Sequence, residues 1–254
     1  MSLRRTKNAP AESGSPTGMT FSRIHQGLPE SAPWFVRVVL RSRAFLIVTV
    51  FITVFLAILA STNPAWLLRF DQPISDWLRP EDGGQLSFVK LVTHLGSPNL
   101  AIAVGLVGVV VLWRRCRASA VTLVTLIAAA LIADIVLKLV VDRTRPPDPA
   151  VGTALGSFPS GHVIHAVVIF GLVPFLLWAL TNRRTFLRLG FVVFAVVVVS
   201  VAVSRVRLGA HWPSDVITSF LIGASLLLAA EQLLTSRWAT DRCASLGYHP
   251  PPDG

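Results

Sequence analysis

The chain has 254 residues, 53% of them hydrophobic and only 14% charged, with a formal net charge of +10 and a mean hydropathy of +0.64. That profile excludes an ordinary soluble domain and points to an integral membrane protein. A nucleic-acid binder would need a soluble basic surface, which these loop lengths do not offer, so no nucleic-acid partner is expected.

Residues 1 to about 33 are rich in Ser, Pro, Gly and charge and lack apolar periodicity, the composition of a disordered tail. Trp34–Leu40 suits the headgroup region, so residues 1–43 read as a cytoplasmic tail with an interfacial segment. Six apolar stretches follow: Ala44–Ala60, Leu100–Trp113, Ala120–Val141, Val163–Leu180, Leu187–Val203 and Val216–Leu234. Most approach the roughly 20 residues a helix needs to cross the hydrocarbon core. The second is short and is expected to begin earlier, near Leu95. The fold class expected is therefore all-α, a polytopic membrane protein with six transmembrane helices over residues 44–234. The longest outer loop, Ser61–Gly96, mixes aromatics with charges from Trp66 to Arg79, as an interfacial helix would. About forty residues precede the first stretch and no small-residue pattern closes it, which argues against a cleaved signal peptide. Residues 235–254 form a polar tail closing on Pro250, Pro251 and Pro252. No internal repeat is visible.

Basic residues set the orientation. Arg4, Arg5, Lys7, Arg23, Arg37, Arg41 and Arg43 precede the first stretch, Arg114, Arg115 and Arg117 follow the second, and Arg183, Arg184 and Arg188 follow the fourth. The positive-inside rule puts these segments and both tails in the cytoplasm. Cys116 and Cys243 fall on that reducing side, so no disulfide is expected.

Three polar clusters lie on the opposite, outer side: Lys138 with Arg145-Pro146, Pro159-Ser160-Gly161-His162, and Ser204-Arg205 with His211 and Asp215. Charge at a membrane edge is costly and usually marks function. Ser160 is placed as the N-cap of the fourth stretch, Gly161 allows close backbone approach, and a helix N-terminus is a ready anion site. Taken alone, this cluster also reads as a capped helix with an interfacial histidine. Pro213 suits a first helical turn, and Asp215 is near enough in sequence to accept a hydrogen bond from His211, fixing its tautomer. Arg205 and His211 could each also be lipid anchors. Lys138 could snorkel outward, with Asp134 one turn earlier as a structural partner that neutralises it. Arg143 and Arg207 read equally as anion attractors or lipid anchors.

Together the clusters supply three cations, a helix N-terminus and two histidines, one beside a carboxylate. Phosphoryl transfer asks for charge neutralisation on the equatorial oxygens, a nucleophile and an acid for the leaving group. No acidic or His/Cys ligand set accompanies them, so no metal or other cofactor is expected.

The chain resembles the type-2 phosphatidic acid phosphatase superfamily, whose members include the vanadium haloperoxidases. The family signature Lys-x6-Arg-Pro, Pro-Ser-Gly-His and Ser-Arg-x5-His-x3-Asp is met by Lys138 to Arg145-Pro146, Pro159 to His162, and Ser204-Arg205 to His211 and Asp215. The motifs span residues 138–215 and the six-span layout extends the likeness over about 44–234. The resemblance implies a metal-independent phosphatase with a phosphohistidine intermediate. It implies His211 as nucleophile, Asp215 as its orienting partner and His162 as leaving-group acid. Lys138, Arg145, Ser160, Gly161 and Arg205 would hold the substrate phosphate. The six spans are similar to the family's membrane lipid phosphatases, acting on a lipid phosphate at the bilayer surface from the extracytoplasmic side of the cell membrane. Polyprenyl diphosphate of the undecaprenyl type is the expected substrate. Phosphatidate, phosphatidylglycerol phosphate and a phosphotransferase activity are alternatives, and a membrane transporter is an alternative of another class. Small size, few Lys relative to Arg and abundant Ala and Val suggest a GC-rich bacterial source. The oligomeric state is left open.

Overall fold

In the computed structural model the described residues are 43–79, 86–113, 116–151, 155–172, 183–234, 236 and 238. They form helices α1 (Arg43–Thr62), α2 (Pro64–Leu78), α3 (Leu86–Thr93), α4 (Pro98–Trp113), α5 (Arg117–Val141), α6 (Gly161–Gly171), α7 (Arg184–Arg207) and α8 (Pro213–Leu234), with a 3₁₀ turn at His94–Gly96. No strand occurs among the described residues, and the all-α expectation holds. Among the described residues, five segments are long and apolar enough to cross a membrane: Arg43–Thr62, Leu86–Trp113, Arg117–Val141, Thr185–Arg207 and Pro213–Leu234. The fourth expected stretch is described only as α6, of 11 residues, because residues 173–182 lie outside the described set. So do Trp34–Leu40, nearly all of the N-terminal tail and most of the C-terminal tail.

The second stretch starts earlier than expected, at Leu86, and runs 28 residues to Trp113. It is broken by the 3₁₀ turn, after which Ser97 caps α4: its hydroxyl accepts from the Leu100 amide at 3.3 Å, and Pro98 fills the first helical position. The same device separates α1 from α2. Asn63 Oδ1 accepts from the Trp66 amide at 3.3 Å with Pro64 at the first position, so α1 ends and α2 begins. The segment from Trp66 to Arg79, expected as an interfacial helix, is helical as far as Leu78 in α2.

Helix α6 is the centre of the bundle, packed against α5, α7 and α8. Val163, Ile164, Ala166, Val167, Val168 and Ile169 are all buried. A helix apolar on every side must be enclosed by others. Ile164 and Val168 join Leu126, Ile127 and Ala130 of α5 and Ile222 of α8, while Val163 and Val167 meet Val198 and Val201 of α7. The outer helices instead expose apolar side chains such as Phe51, Val110 and Val140, at 70% or more. Lipid solvates them there. Since lipid is as apolar as Leu, tight packing rather than burial from water holds such helices together. Cys116 is disulfide-bonded, against the reduced thiols expected. Pairing depends on Cα proximity, which a topology argument does not see; Cys243 lies outside the described residues.

Candidate active site

The C-terminal end of α5, the N-terminus of α6, the C-terminal end of α7 and the N-terminus of α8 meet at one end of the bundle. All three sequence clusters come together there. Helix α7 ends in a Schellman motif: Gly209, at φ +63°, sends its amide to Val206 O at 2.9 Å, and the Ala210 amide reaches Arg205 O at 3.1 Å. The chain reverses and delivers His211, 2% exposed, into the site. Its Nδ1 lies 2.5 Å from the Ser157 carbonyl oxygen. A carbonyl only accepts, so Nδ1 carries the proton and Nε2 keeps its lone pair.

Asp215 is not the direct partner of His211 that the sequence suggested. Its Oδ2 accepts from the Trp212 amide at 2.9 Å, the backward half of a capping box at the start of α8, and its Oδ1 accepts from Arg143 Nη1 at 2.6 Å. Local capping and a buried cation claim both oxygens. Arg143 itself is neither an anion attractor nor a lipid anchor: it is 4% exposed and paired with Asp215 and Asp71.

The cations are held from behind. Arg145 donates to the Leu155 carbonyl from Nε at 3.2 Å, to the Gly156 carbonyl from Nη2 at 2.9 Å, and to the Ala210 carbonyl from Nη1. Backbone on both sides of the site thus fixes its plane. Arg205, 3% exposed, donates from Nη1 to Thr93 Oγ1 at 3.0 Å. Lys138 Nζ contacts Asp134 Oδ1 at 2.5 Å, the pairing expected. A Cβ on Gly161 would collide with that same carboxylate, so glycine there lets α5 approach the start of α6. A Cβ on Gly96 would likewise strike the carbonyl of His162.

Two buried polar atoms at this end of the bundle have no hydrogen-bond partner among the described residues: Ser160 Oγ and Arg205 Nε. Ser160 occupies the N-cap position of α6, but its hydroxyl makes no capping bond; its amide donates to Ser219 Oγ at 2.7 Å. The first amides of a helix have no intrahelical acceptor. An unsatisfied buried polar group costs about 1–3 kcal/mol, and an oxyanion would remove that cost. Burial pushes the His211 imidazole well below its ordinary pKa, and the positive charges of Arg205, Arg145 and Lys138 push it further, against a smaller upward pull from the Ser157 carbonyl. Two cations of the first motif and one of the third therefore act on the same ring.

Sequence reasoning missed Ser157, Thr93, Ser219 and Asp71, which carry no motif and act through a carbonyl or a single side chain. It also passed over His165, buried one turn beyond His162. The i, i+3 spacing was the available signal.

Comparison with known proteins agrees with this geometry. The PAP2 superfamily model matches residues 119–239. Phosphatidylglycerophosphatase B of Bacillus subtilis (strain 168) is 28% identical over 141 residues, 53% of this chain and 68% of that protein. Decaprenylphosphoryl-5-phosphoribose phosphatase of Mycobacterium tuberculosis is 30% identical over 149 residues, covering 56% and 77%. Undecaprenyl-diphosphatase of Sulfolobus acidocaldarius is 32% identical over 129 residues, covering 48% and 58%. The crystal structure of a transmembrane PAP2 type phosphatidylglycerolphosphate phosphatase from Bacillus subtilis superimposes with a TM-score of 0.61 at 23% identity, over 73% of this chain and 93% of that one. The shared fold, the matched region and the relatives agree: this chain belongs to the PAP2 superfamily and is a PAP2-type membrane phosphatase.

Proposed function

We propose that the chain removes the terminal phosphate of a polyprenyl diphosphate through a phosphohistidine on His211. The observation that carries the chemistry is the convergence on His211 of Lys138, Arg145 and Arg205 beside the unpartnered Ser160 hydroxyl and Arg205 Nε. His211 Nε2 attacks phosphorus as the bond to the bridging oxygen breaks, and His162 gives that oxygen a proton. Water then attacks the phosphohistidine, His162 takes its proton, and the N–P bond breaks. Lys138, Arg145, Arg205, Ser160 and the Gly161 amide hold the equatorial oxygens, where charge is greatest in the transition state. Asp215 serves by fixing the turn that carries His211.

The basic residues flanking α1, α5 and α7 at the opposite end support an extracytoplasmic site in the cell membrane. A phosphate at headgroup level with its tail among the helices suits that position. The polyprenyl diphosphate reading draws support from a relative named undecaprenyl-diphosphatase, and its polyprenyl part from one named for a decaprenyl-linked phosphoribose. The name of the Bacillus relative favours phosphatidylglycerol phosphate as the second reading.

Purified protein in EDTA, offered polyprenyl diphosphate, phosphatidate and phosphatidylglycerol phosphate, is expected to show kcat/KM at least about tenfold higher for the diphosphate. The reverse order would replace the substrate and leave the chemistry standing. In the same series, His162→Ala is expected to slow the monophosphate esters at least about tenfold more than the diphosphate, whose leaving phosphate needs a proton less. Equal losses would remove His162 from the acid role.

A pH profile supplies a separate check. Attack needs neutral imidazole, and a lowered His211 pKa keeps the ring neutral into mild acid, so its acid limb in kcat/KM should fall below 6.5. Lys138→Met removes one of the depressing charges and is expected to move that limb upward. A limb that stays in place would show that it reports substrate ionisation and not His211.

A further inference from the structure

We propose that Asp71 and Arg143, which no motif position specifies, are positioning residues for His211, and that α2 is the clamp that brings them to it. The proposal rests on His211 being the nucleophile. Helix α2 leaves Trp66 and Trp77 exposed and buries Leu67, Asp71 and Ser75, a single face at i, i+4 and i+8.

Asp71 is fully buried, and an unpaired carboxylate there would be very costly. Its Oδ2 accepts from Arg143 Nη2 at 2.6 Å and from Ser214 Oγ at 2.7 Å, and its Oδ1 accepts from the Ser214 amide at 2.7 Å. Arg143 Nη1 turns to Ser214 Oγ at 2.8 Å and to Asp215 Oδ1 at 2.6 Å. One guanidinium therefore joins α2 to the start of α8, with the Trp212 ring 5.8 Å from its centre.

The backbone of Arg143 completes the device. Its carbonyl accepts from the Ser157 amide at 2.7 Å, and Ser157 supplies the carbonyl that holds His211 Nδ1. Arg143 thus holds the acceptor of the His211 bond with its backbone, and the segment just after His211 with its side chain. At the far end of α2, Arg79 donates to the carbonyls of Pro147 at 3.0 Å and Asp148 at 3.1 Å. A Cβ on Gly209 would lie 2.9 Å from Arg79 Nη2, so α2 touches the turn before His211 as well as after it.

A buried ion cluster is weak evidence for stability, since apolar residues often replace one without loss. Its value here is placement, and a misplacement of about 1 Å can cost about 10²-fold in rate. Full-length Asp71→Asn and Arg143→Lys should be assayed on polyprenyl diphosphate, with inorganic phosphate as competitive inhibitor and thermal unfolding as the control for folding. Asparagine places an amide against Arg143, and lysine keeps the charge without the two-sided fork. Each is expected to lower kcat at least about tenfold while KM and the phosphate inhibition constant move less than about threefold, because the phosphate-holding groups stay in place. The double variant should be no worse than the poorer single one within about twofold, as for members of one network.

Ser214→Ala is the milder probe and should lower kcat about threefold or more at unchanged KM. Folded variants with wild-type kcat, a parallel loss of phosphate affinity, or additive losses would each overturn the proposal. So would collapse of Asp71→Asn together with full activity of Ser214→Ala, which would make the bridge purely structural. The wild type in the same assay separates the two levels: a silent wild type takes down the phosphatase reading and this proposal with it, whereas active wild type and active variants take down the bridge alone.

Discussion

His211→Ala is expected to lower kcat by at least about 10³-fold while the protein stays folded. The residue is the nucleophile in this account, so its loss removes the covalent route and leaves only what the phosphate-holding groups can do for water. His211 is almost fully buried at the end of a Schellman turn, and its ring hydrogen-bonds to the Ser157 carbonyl. Alanine removes that bond and leaves a small cavity, which the turn's backbone bonds to Arg205 and Val206 do not depend on. The measurement is initial phosphate release by wild type and variant at equal, verified concentration, with thermal unfolding alongside. Retention of more than about a tenth of the wild-type rate would end the nucleophile assignment.

The second large effect is at Arg205. Arg205→Ala is expected to lower kcat/KM by about 10²–10³-fold, the range seen when one preorganised donor to a developing oxyanion is removed. Arg205→Lys should recover only a small part. The guanidinium is fixed by its Nη1 bond to Thr93, which leaves Nε unpartnered and buried. A lysine carries the charge but neither the fork nor the orientation. Thr93→Val tests the same point from behind, since it frees the guanidinium without touching its charge, and should give an intermediate loss. If Arg205→Lys were as active as wild type, Arg205 would be acting as a point charge, and the unpartnered Nε would have no catalytic meaning.

Most of the site was legible in the sequence because its chemistry is written in short spacings. Lys138 and Arg145 flank the end of one helix, Ser160 to His162 open the next, and Arg205 to Asp215 span one turn between two more; once the helices pack, those ends must meet. The spans were legible because lipid demands long apolar runs. What escaped is contact between segments distant in sequence. Ser157 lies 54 residues from His211, Thr93 lies 112 from Arg205, and Asp71 lies 72 from Arg143. No local pattern announces a backbone carbonyl as the partner of a histidine.

Asp215 shows the limit from the other side. Four residues from His211, it looked like the natural acceptor, but the capping bond to the Trp212 amide competes at shorter range and Arg143 takes the remaining oxygen. The start of the second span was missed for a related reason: the apolar run continues upstream of Ser97 and Pro98 through a turn that interrupts the helix without ending the span.

Trapping the intermediate would show the phosphohistidine itself. The full chain in EDTA would be mixed with polyprenyl diphosphate labelled in its terminal phosphate, quenched in alkali during turnover, and digested for peptide mapping. The predicted result is an alkali-stable, acid-labile phosphoryl group on the peptide bearing His211, absent from His211→Ala. Turnover with no label on the protein, or label on any other residue, would contradict it.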